Sequence, residues 1–288
     1  MTENLTTTIS SKTQTLEIGR NLPTVIIGER INPTGRKKLQ AALEQKNFDI
    51  VRQDAVAQVA AGAAVLDVNA GIPDGDEPVL LKEAVLTVMA ATDVPLCIDT
   101  ADPEALSAAL SIYEGKALVN SVNGEERSLD EMLPLVKEYG AAVIGLCMDD
   151  AGIPDTPDKR LAVAAKIIER AGQLGIGSED IVIDPLVLTM GADHSAGRIT
   201  LETTELIVKE FGVNITMGAS NVSFGLPDRM HINAAFIAMA IHAGLTCPIT
   251  NPLVTELTTA VLAADMAMGR DEWGERWINA FRSREKSG

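Results

Sequence analysis

The chain is poor in the residues that mark several common classes of protein. Of its 288 residues only 3% are aromatic, and three are cysteines, Cys97, Cys147 and Cys247. The cysteines are far apart and lie in apolar runs rather than at metal-ligand spacing. We therefore expect reduced core thiols in a cytoplasmic protein. No apolar run reaches the length of about 18 residues that a membrane span requires, so none is expected.

Positive charge is also scarce, since 24 Lys and Arg face 40 Asp and Glu for a formal net charge of −16. This charge disfavours binding to nucleic acid or to an anionic membrane surface. The start, MTENLTTTIS, lacks the basic and apolar segments of a secretory signal. Residues 1–20 are polar and rich in Thr, and we expect them to form a flexible surface arm.

What the sequence does have is a hydrophobic content of 46%, placed in eight short apolar runs that alternate with segments of helical periodicity. The runs are apolar throughout, which is typical of parallel strands covered on both faces. Eight strand–helix units predict one α/β domain, a (β/α)₈ TIM barrel over residues 21–288. An open doubly wound sheet fits less well, because no Gly-rich phosphate turn follows the first run. The predicted strands are 25–28, 65–69, 96–99, 118–120, 142–147, 181–184, 215–218 and 245–249.

The helices predicted between these strands are marked by ordinary start and stop signals. Asp102-Pro103 and Thr156-Pro157 each place a capping residue before a proline at the first helical position. Residues 271–282, which contain Trp273 and Trp277, indicate an additional terminal helix. The predicted helices are 49–62, 78–92, 103–113, 128–139, 157–174, 200–211, 229–243 and 253–268.

Several predicted strands end in an acidic or amide residue, and this pattern indicates a shared site. Side chains at the carboxyl ends of barrel strands converge on one opening. The residues expected there are Glu29, Arg30, Asn32, Asp67, Asn69, Asp99, Asn120, Asp184 and Asn221. Any one of them alone is explained by a helix cap or a turn. Their repetition in register favours a binding cup.

Such a cup suits a flat heterocycle that carries both N–H donors and carbonyl acceptors. A carboxylate accepts two parallel N–H bonds, and a carboxamide serves one donor and one acceptor. Asp99, Asn120 and Asp184 could together grip the edge of a pterin. The alternative is a divalent metal held by Asp67, Asp99 and Asp184. No His stands at a strand end and no DxD pair is present, which disfavours a metal.

Six motifs, in order along residues 24–268, resemble the pterin-binding methyltransferase family, and most closely its stand-alone members that act between tetrahydrofolate and a corrinoid protein. The motifs are GERIN (28–32), LDVNAG (66–71), CIDT (97–100), VNSVN (119–123), IDPL (183–186) and GASNVSFGLPDR (218–229). The resemblance implies that Asp99, Asn120 and Asp184 bind the pterin and that Asn221 reaches N5, the methyl-carrying atom. It also implies supporting roles for Asp67, Asn69 and Arg229.

The resemblance further implies the substrates and partners. Tetrahydrofolate or 5-methyltetrahydrofolate is the substrate, the cobalamin is carried by a separate corrinoid protein, the chain itself holds no metal, and it forms a homodimer. Two directions are compatible with it. One transfers methyl from a methylated corrinoid protein to tetrahydrofolate in a demethylation pathway, which we favour. The other transfers methyl from methyltetrahydrofolate to a corrinoid iron–sulfur protein in the acetyl-CoA pathway.

Two functions other than methyl transfer fit part of this pattern. Dihydropteroate synthase shares the barrel but needs basic residues at its last two strands, and here those strands lead to Ser220-Asn221 and end in Thr250-Asn251. A non-catalytic pterin or folate carrier would have no use for Asn221.

Two remaining features are interpreted structurally. His194 only partly matches a corrinoid-binding pattern, because Ala192 stands where that pattern has Asp, so we interpret His194 as a loop residue. The helix at 229–243 is apolar nearly all round. We interpret it as buried against a neighbouring helix or, preferably, as part of a dimer interface.

Overall fold

Eight parallel strands close into a barrel in the computed structural model, which describes residues 4–287 and side chains up to residue 285. A two-stranded antiparallel hairpin, β1 (Thr7–Ser10) and β2 (Thr15–Ile18), precedes the barrel. The barrel strands are β3 (Ile27–Ile31), β4 (Val65–Val68), β5 (Leu96–Asp99), β6 (Leu118–Asn123), β7 (Ala142–Leu146), β8 (Ile181–Asp184), β9 (Asn214–Gly218) and β10 (Cys247–Thr250). The predicted single-domain TIM barrel is confirmed.

Each barrel strand pairs with the next strand along the chain, and β10 pairs with β3 to close the circle. The register places Asp99 beside Asn120 and Leu146 beside Asp184. The strands are buried on both faces, which explains why their sequences are continuously apolar rather than alternating. Burial is less complete at the ends of β5, β6, β7 and β9, where Asp99, Asn123, Leu146 and Gly218 are only partly buried.

Helices surround the barrel, and most begin and end as the sequence indicates. Asp102 and Thr156 cap α4 (Pro103–Leu110) and α6 (Pro157–Gln173) through their side chains, as predicted. Helix α1 precedes the first predicted helix and was not expected. The helices are α1 (Lys37–Glu44), α2 (Asp49–Ala60), α3 (Glu77–Ala91), α4 (Pro103–Leu110), α5 (Glu126–Tyr139), α6 (Pro157–Gln173), α7 (Ala196–Phe211), α8 (Arg229–Ala243), α9 (Thr255–Ala267) and α10 (Glu275–Ser287).

The expectation of a flexible arm at residues 1–20 is wrong for the described part of that segment, because β1 and β2 close the amino-terminal end of the barrel. Ile9 and Ile18 are fully buried and pack in the same cluster as the barrel-lining Ile27, Val65 and Cys97. Asn214, the first residue of β9, donates to the main-chain oxygen of Ile18 at 2.9 Å. Burial of two isoleucines therefore fixes the hairpin. Residues 1–3 lie outside the described residues.

The carboxyl-terminal helix is attached at the same end of the barrel by a buried charge. The Asp265 carboxylate on α9 accepts from the backbone N–H and the hydroxyl of Thr24, at 2.8 and 2.6 Å. Arg276 on α10 donates to it at 2.8 Å, and Arg270 lies at 3.6 Å. The amino-terminal end of the barrel is thus filled by apolar side chains and is tied to α9 and α10 by the hydrogen bonds of Asp265. The opposite, carboxyl-terminal end is the open one.

Candidate active site at the open end of the barrel

Acidic and amide side chains from β4, β5 and β6 form one hydrogen-bonded cluster at the carboxyl ends of these strands. Asn120 Nδ2 donates to Asp67 Oδ1 at 3.1 Å. The Asp67 and Asp99 carboxyls share a hydrogen bond, and Asn69 is also bonded to Asp99. Asn32 Nδ2, from the segment after β3, donates to Asp99 Oδ2 at 3.4 Å. Four of the seven residues to which the resemblance gives a binding or supporting role therefore meet directly, namely Asp67, Asn69, Asp99 and Asn120.

Burial sets the electrostatics of this cluster. It raises the pKa of Asp67 to about 6, although hydrogen bonds from Asn120 and from the Cys97 thiol oppose the rise. It raises the pKa of Asp99 further, because the neighbouring Asp67 charge adds to the effect. Two adjacent carboxylates cannot both ionise cheaply, so a proton is held between them. A ligand edge that presents N–H donors can take the place of that proton.

Asp184 stands across the opening, at the end of β8, and is 6% exposed. Its Oδ1 accepts from the backbone N–H of Leu186 at 2.7 Å. Burial raises its pKa to about 7, against the opposing effects of this N–H and of the Arg160 charge. A buried carboxylate with this little compensation from the protein is suited to accept hydrogen bonds from a ligand.

A bulge in β3 interrupts the strand ladder at two charged residues, Glu29 and Arg30. The register between β3 and β4 shifts between Gly28 and Ile31, so that Glu29 and Arg30 lie outside the regular ladder. Gln58 of α2, fully buried, accepts from the Arg30 backbone N–H at 2.9 Å. A Cβ at residue 28 would lie 2.6 Å from Gln58 Oε1, which explains the glycine there.

Glu29 senses the charge of Asp67 in the buried acidic cluster and that of Arg229 at the exposed rim. Its pKa is raised to about 7, chiefly by burial, and the Asp67 charge contributes to that rise. The charges of Arg30 and Arg229 oppose this rise. Glu29 therefore titrates near neutral pH at the position where the buried cluster meets the exposed rim.

Asn221 lies on the segment between β9 and α8, Arg229 is the first residue of α8, and both are exposed. Asn221 is in a 3₁₀ turn (Ala219–Ser223), and its Nδ2 would be 3.1 Å from a Cβ at residue 218. Arg229 donates to Ser223 Oγ at 3.0 Å and to the Ser220 oxygen at 2.8 Å, and it lies over the ring of Phe224. These contacts hold the segment at the rim. Neither residue bonds directly to the Asp67–Asp99 cluster.

Two residues that matter here were absent from the predicted site, namely Gln58 and Arg160. Both have a signal in the sequence. Gln58 continues the buried stripe of Val51 and Ala55 on α2, and Arg160 begins the buried stripe of α6 that includes Ala164 and Ile167. A polar residue on an apolar helical face indicates a buried partner.

Among residues 4–287, no helix is long and apolar enough to cross a membrane.

A parallel barrel with an acidic and amide cup at its open end defines a class of enzyme that binds a small heterocycle at the carboxyl ends of its strands. The sequence model of a family described as pterin binding enzyme matches residues 28–251, which include this whole cup. The chain belongs to the pterin-binding enzyme family.

Relatives define its activity within the family more closely. The methylcorrinoid:tetrahydrofolate methyltransferase of Eubacterium limosum is 33% identical over 264 residues, which cover 90% of this chain and 96% of that protein. The methionine synthase of Mycobacterium tuberculosis is 28% identical over 256 residues, which cover 84% of this chain but 22% of that longer protein. The chain is a methyltransferase.

Solved structures confirm the fold. Dihydropteroate synthase from Thermus thermophilus superimposes with a TM-score of 0.67 at 23% identity, covering 90% of this chain and 99% of that one. The Yersinia pestis dihydropteroate synthase gives 0.66 at 18% identity. Similarity at this level of identity shows a shared barrel and does not extend to the reaction.

Proposed function

We propose that this chain transfers a methyl group from a methylated corrinoid protein to N5 of tetrahydrofolate, as part of a demethylation pathway. The observation that carries the proposal is the convergence of Asp67, Asp99 and Asn120 in one bonded cluster, with Asp184 facing the same opening. The family match and the relative from Eubacterium limosum, which spans nearly the whole chain, support methyl transfer over other reactions of this fold.

The buried part of the cup holds the pterin. Asp184 and Asp99 present carboxylate oxygens to the donor edge of the ring, and Asn120 offers both a donor and an acceptor. Asp67 fixes the Asn120 amide through the 3.1 Å bond, and Asn69 fixes Asp99. This assignment leaves Asp67 and Asn69 as supporting residues. Arg229 supports the rim through Ser220 and Ser223.

Asn221 acts at N5. N5 would attack the methyl group with its lone pair while the cobalt–carbon bond breaks and leaves its electron pair on cobalt, so N5 carries positive charge until it loses its proton. The Asn221 side-chain oxygen can accept a hydrogen bond from N5–H and stabilise that charge. A fixed polar group of this kind contributes about 3 kcal/mol to transition-state stabilisation, by analogy with positioned groups in other active sites. Asn221 is exposed at the rim, so the nitrogen that it contacts faces outward. The cobalt corrinoid, held by the partner protein, supplies a centre that exchanges methyl groups.

The partner docks over the open end, since the hairpin closes the other end.

We also propose that the chain forms a homodimer through α8 and its surroundings. One side of α8 packs on the barrel through Phe236, Ile237 and Ile241, whereas Met239 on its other side is 51% exposed. Met266, near the end of α9, is 46% exposed. Light scattering on the purified protein tests this second proposal, because a monomer mass would contradict it.

An anaerobic assay tests the proposed function. The purified chain is mixed with methylcobalamin and tetrahydrofolate, and the cobalt absorbance is followed while methyltetrahydrofolate is quantified. We expect stoichiometric loss of methylcobalamin that requires both the enzyme and tetrahydrofolate. No enzyme-dependent change, with either methylcobalamin or the methylated partner as donor, would contradict methyl transfer. The proposed direction would be contradicted if turnover from methyltetrahydrofolate to a reduced corrinoid iron–sulfur protein were faster than turnover from the methylated corrinoid protein to tetrahydrofolate.

A further inference from the structure

Arg160 is a buried arginine whose hydrogen bonds all go to main-chain carbonyl groups in the part of the chain that the structure describes. It lies in the first turn of α6 and is 1% exposed. Its Nε donates to the Pro154 oxygen at 2.9 Å. Its Nη1 donates to the oxygens of Pro185 and Leu186, at 2.9 and 2.7 Å. One guanidinium thus connects the loop after β7 with the loop after β8.

The peptide that Arg160 holds is the one that binds Asp184. Leu186 has φ +63°, in the left-handed region that a leucine seldom occupies and that costs about 1–3 kcal/mol. Its oxygen accepts from Arg160 and, at 3.1 Å, from the Thr200 hydroxyl. Its N–H donates to Asp184 Oδ1 at 2.7 Å. Removing the arginine would release the peptide from one of these constraints.

We propose that Arg160 is a positioning residue for Asp184, acting through the Pro185–Leu186 turn to fix the direction in which the carboxylate meets the ligand. This inference rests on the function proposed for Asp184. Arg160 touches no part of the opening itself, because it lies beneath the turn. Its role is to orient the Asp184 carboxylate, which does face the opening.

The charge of Arg160 matters as well as its shape. Burial raises the pKa of Asp184, and the guanidinium partly opposes this. The other titratable groups that sense the Asp184 charge are the thiols of Cys147, directly after β7, and of Cys247 on β10. Burial raises the pKa of both, that of Cys247 to about 12, so they stay neutral. Arg160 is therefore the charged neighbour that favours ionised Asp184 among the described residues.

Four variants test this role. Arg160→Gln removes the charge, and Arg160→Lys keeps the charge but loses the forked contact with three carbonyls. Arg270→Gln and Arg270→Lys are matched controls, because Arg270 is also a buried arginine, at 5% side-chain exposure, but lies beside Asp265 at the closed end. Each variant is checked for folding by thermal melting. Tetrahydrofolate affinity is then measured between about pH 6 and 9, and the Asp184 carboxyl is titrated by ¹³C NMR.

We expect Arg160→Gln to raise the Kd at least about tenfold at neutral pH, with recovery at higher pH as Asp184 ionises, and to move the Asp184 titration upward by about one pH unit. Arg160→Lys should leave the titration near that of the wild type and still weaken binding several-fold. The rate at saturating tetrahydrofolate should change little in both. The Arg270 controls should leave the affinity, its pH profile and the titration unchanged.

The outcomes separate this inference from the proposed function. An unshifted Asp184 titration in Arg160→Gln would refute the positioning role whatever the ligand is. A shifted titration in a protein that does not bind tetrahydrofolate would refute the function and retain the role. If Arg160→Gln does not fold, the affinity of Arg160→Lys for tetrahydrofolate tests the positioning role instead. Wild-type affinity in that variant would refute the role, because it would show that the forked contact is dispensable.

Discussion

The Asn120 amide donates to Asp67, and the same Asp67 shares a hydrogen bond with Asp99 on the strand between them. An amide and two carboxyls from three strands are thereby linked as one unit. Because the proton between the carboxyls must leave when a ligand donates N–H groups to Asp99, binding and protonation are coupled.

The coupling predicts that tetrahydrofolate binds more tightly as the pH rises from about 5 to 7, with release of up to one proton per ligand from the Asp67–Asp99 pair and of a second from Asp184, whose pKa is raised to about 7. Asp67→Asn removes the charge that helps to raise the pKa of Asp99, while its amide oxygen still accepts from Asn120. We expect the pH dependence of the Kd to move to lower pH in this variant. Calorimetry in buffers of different ionisation enthalpy measures both the Kd and the released proton. A pH-independent Kd in the wild type would contradict the coupling.

Asn221→Ala should lower kcat by about 10²–10³ while leaving the Kd for tetrahydrofolate within a few-fold of wild type, because the amide acts on developing charge at N5. Gly218→Ala should reduce the rate by a smaller factor, since its Cβ would press on Asn221 Nδ2. Asn279→Ala, an exposed amide on α10, is the control. Single-turnover kinetics with methylcobalamin measures the rates. Wild-type speed in Asn221→Ala would show that the role given to it is wrong.

Asp184→Asn should stabilise the unliganded protein at pH 8 and have a smaller effect at pH 5. The folded-state pKa of Asp184, about 7, lies above the ordinary aspartate value of 3.8. The folded state therefore binds the proton more tightly, and stability present at low pH is lost as the pH rises through about 7. The amide replacement avoids that loss, by about 1–3 kcal/mol. Thermal melting at the two pH values measures it.

The control for Asp184→Asn is Asp150→Asn, which removes the same formal charge from an exposed loop residue. Equal stabilisation by the two substitutions would indicate relief of the overall charge of −16 rather than of a buried carboxylate. The same experiment should show that Asp184→Asn abolishes tetrahydrofolate binding. Stability and binding are then in direct opposition at this residue.

Gly28→Ala should destabilise the protein by about 1–3 kcal/mol, because the new Cβ would lie 2.6 Å from Gln58 Oε1. Gln58→Ala should also destabilise, since it leaves the Arg30 N–H without its acceptor. The double variant should lose less unfolding free energy than the two single variants lose together, because removal of the glutamine also removes the clash with the new Cβ. Chemical denaturation of the four proteins measures the coupling. Gly172→Ala on α6, where no atom lies within 4 Å of the new Cβ, is the control.

Ile18→Ala should cost about 2–4 kcal/mol of unfolding free energy, although it lies in a segment that is polar for most of its length. Ile18 is fully buried in the apolar cluster at the closed end. Glu17→Ala, an exposed neighbour on the same strand, should cost much less. Equal, small effects of the two substitutions would contradict the packing of the hairpin against the barrel.

The barrel could be predicted from the sequence because its strands need no side-chain detail to be recognised. Continuous apolar runs, each ending in an acidic or amide residue, identify parallel strands and the opening together. The hairpin was missed because its two strands have four residues each and only alternate residues of β1 are buried among threonines. A pattern this short does not distinguish a strand from a loop.

The partners within the site could not be read from the sequence. Asp67 and Asn120 are 53 residues apart, and their bond depends on the stagger of β4, β5 and β6 around the barrel. The sequence placed both at the opening but gave no reason to pair them. Gln58 and Arg160 were detectable as polar residues on buried helical stripes, yet which loops they hold follows from three-dimensional packing alone.

The hairpin gives the barrel a single entrance. With Ile9 and Ile18 filling the far end, tetrahydrofolate and the corrinoid protein must reach the cup from the same side. Under the proposed function the folate enters before the partner docks and leaves after it departs. Steady-state kinetics should accordingly follow a compulsory order, in which excess partner protein traps the folate and slows turnover.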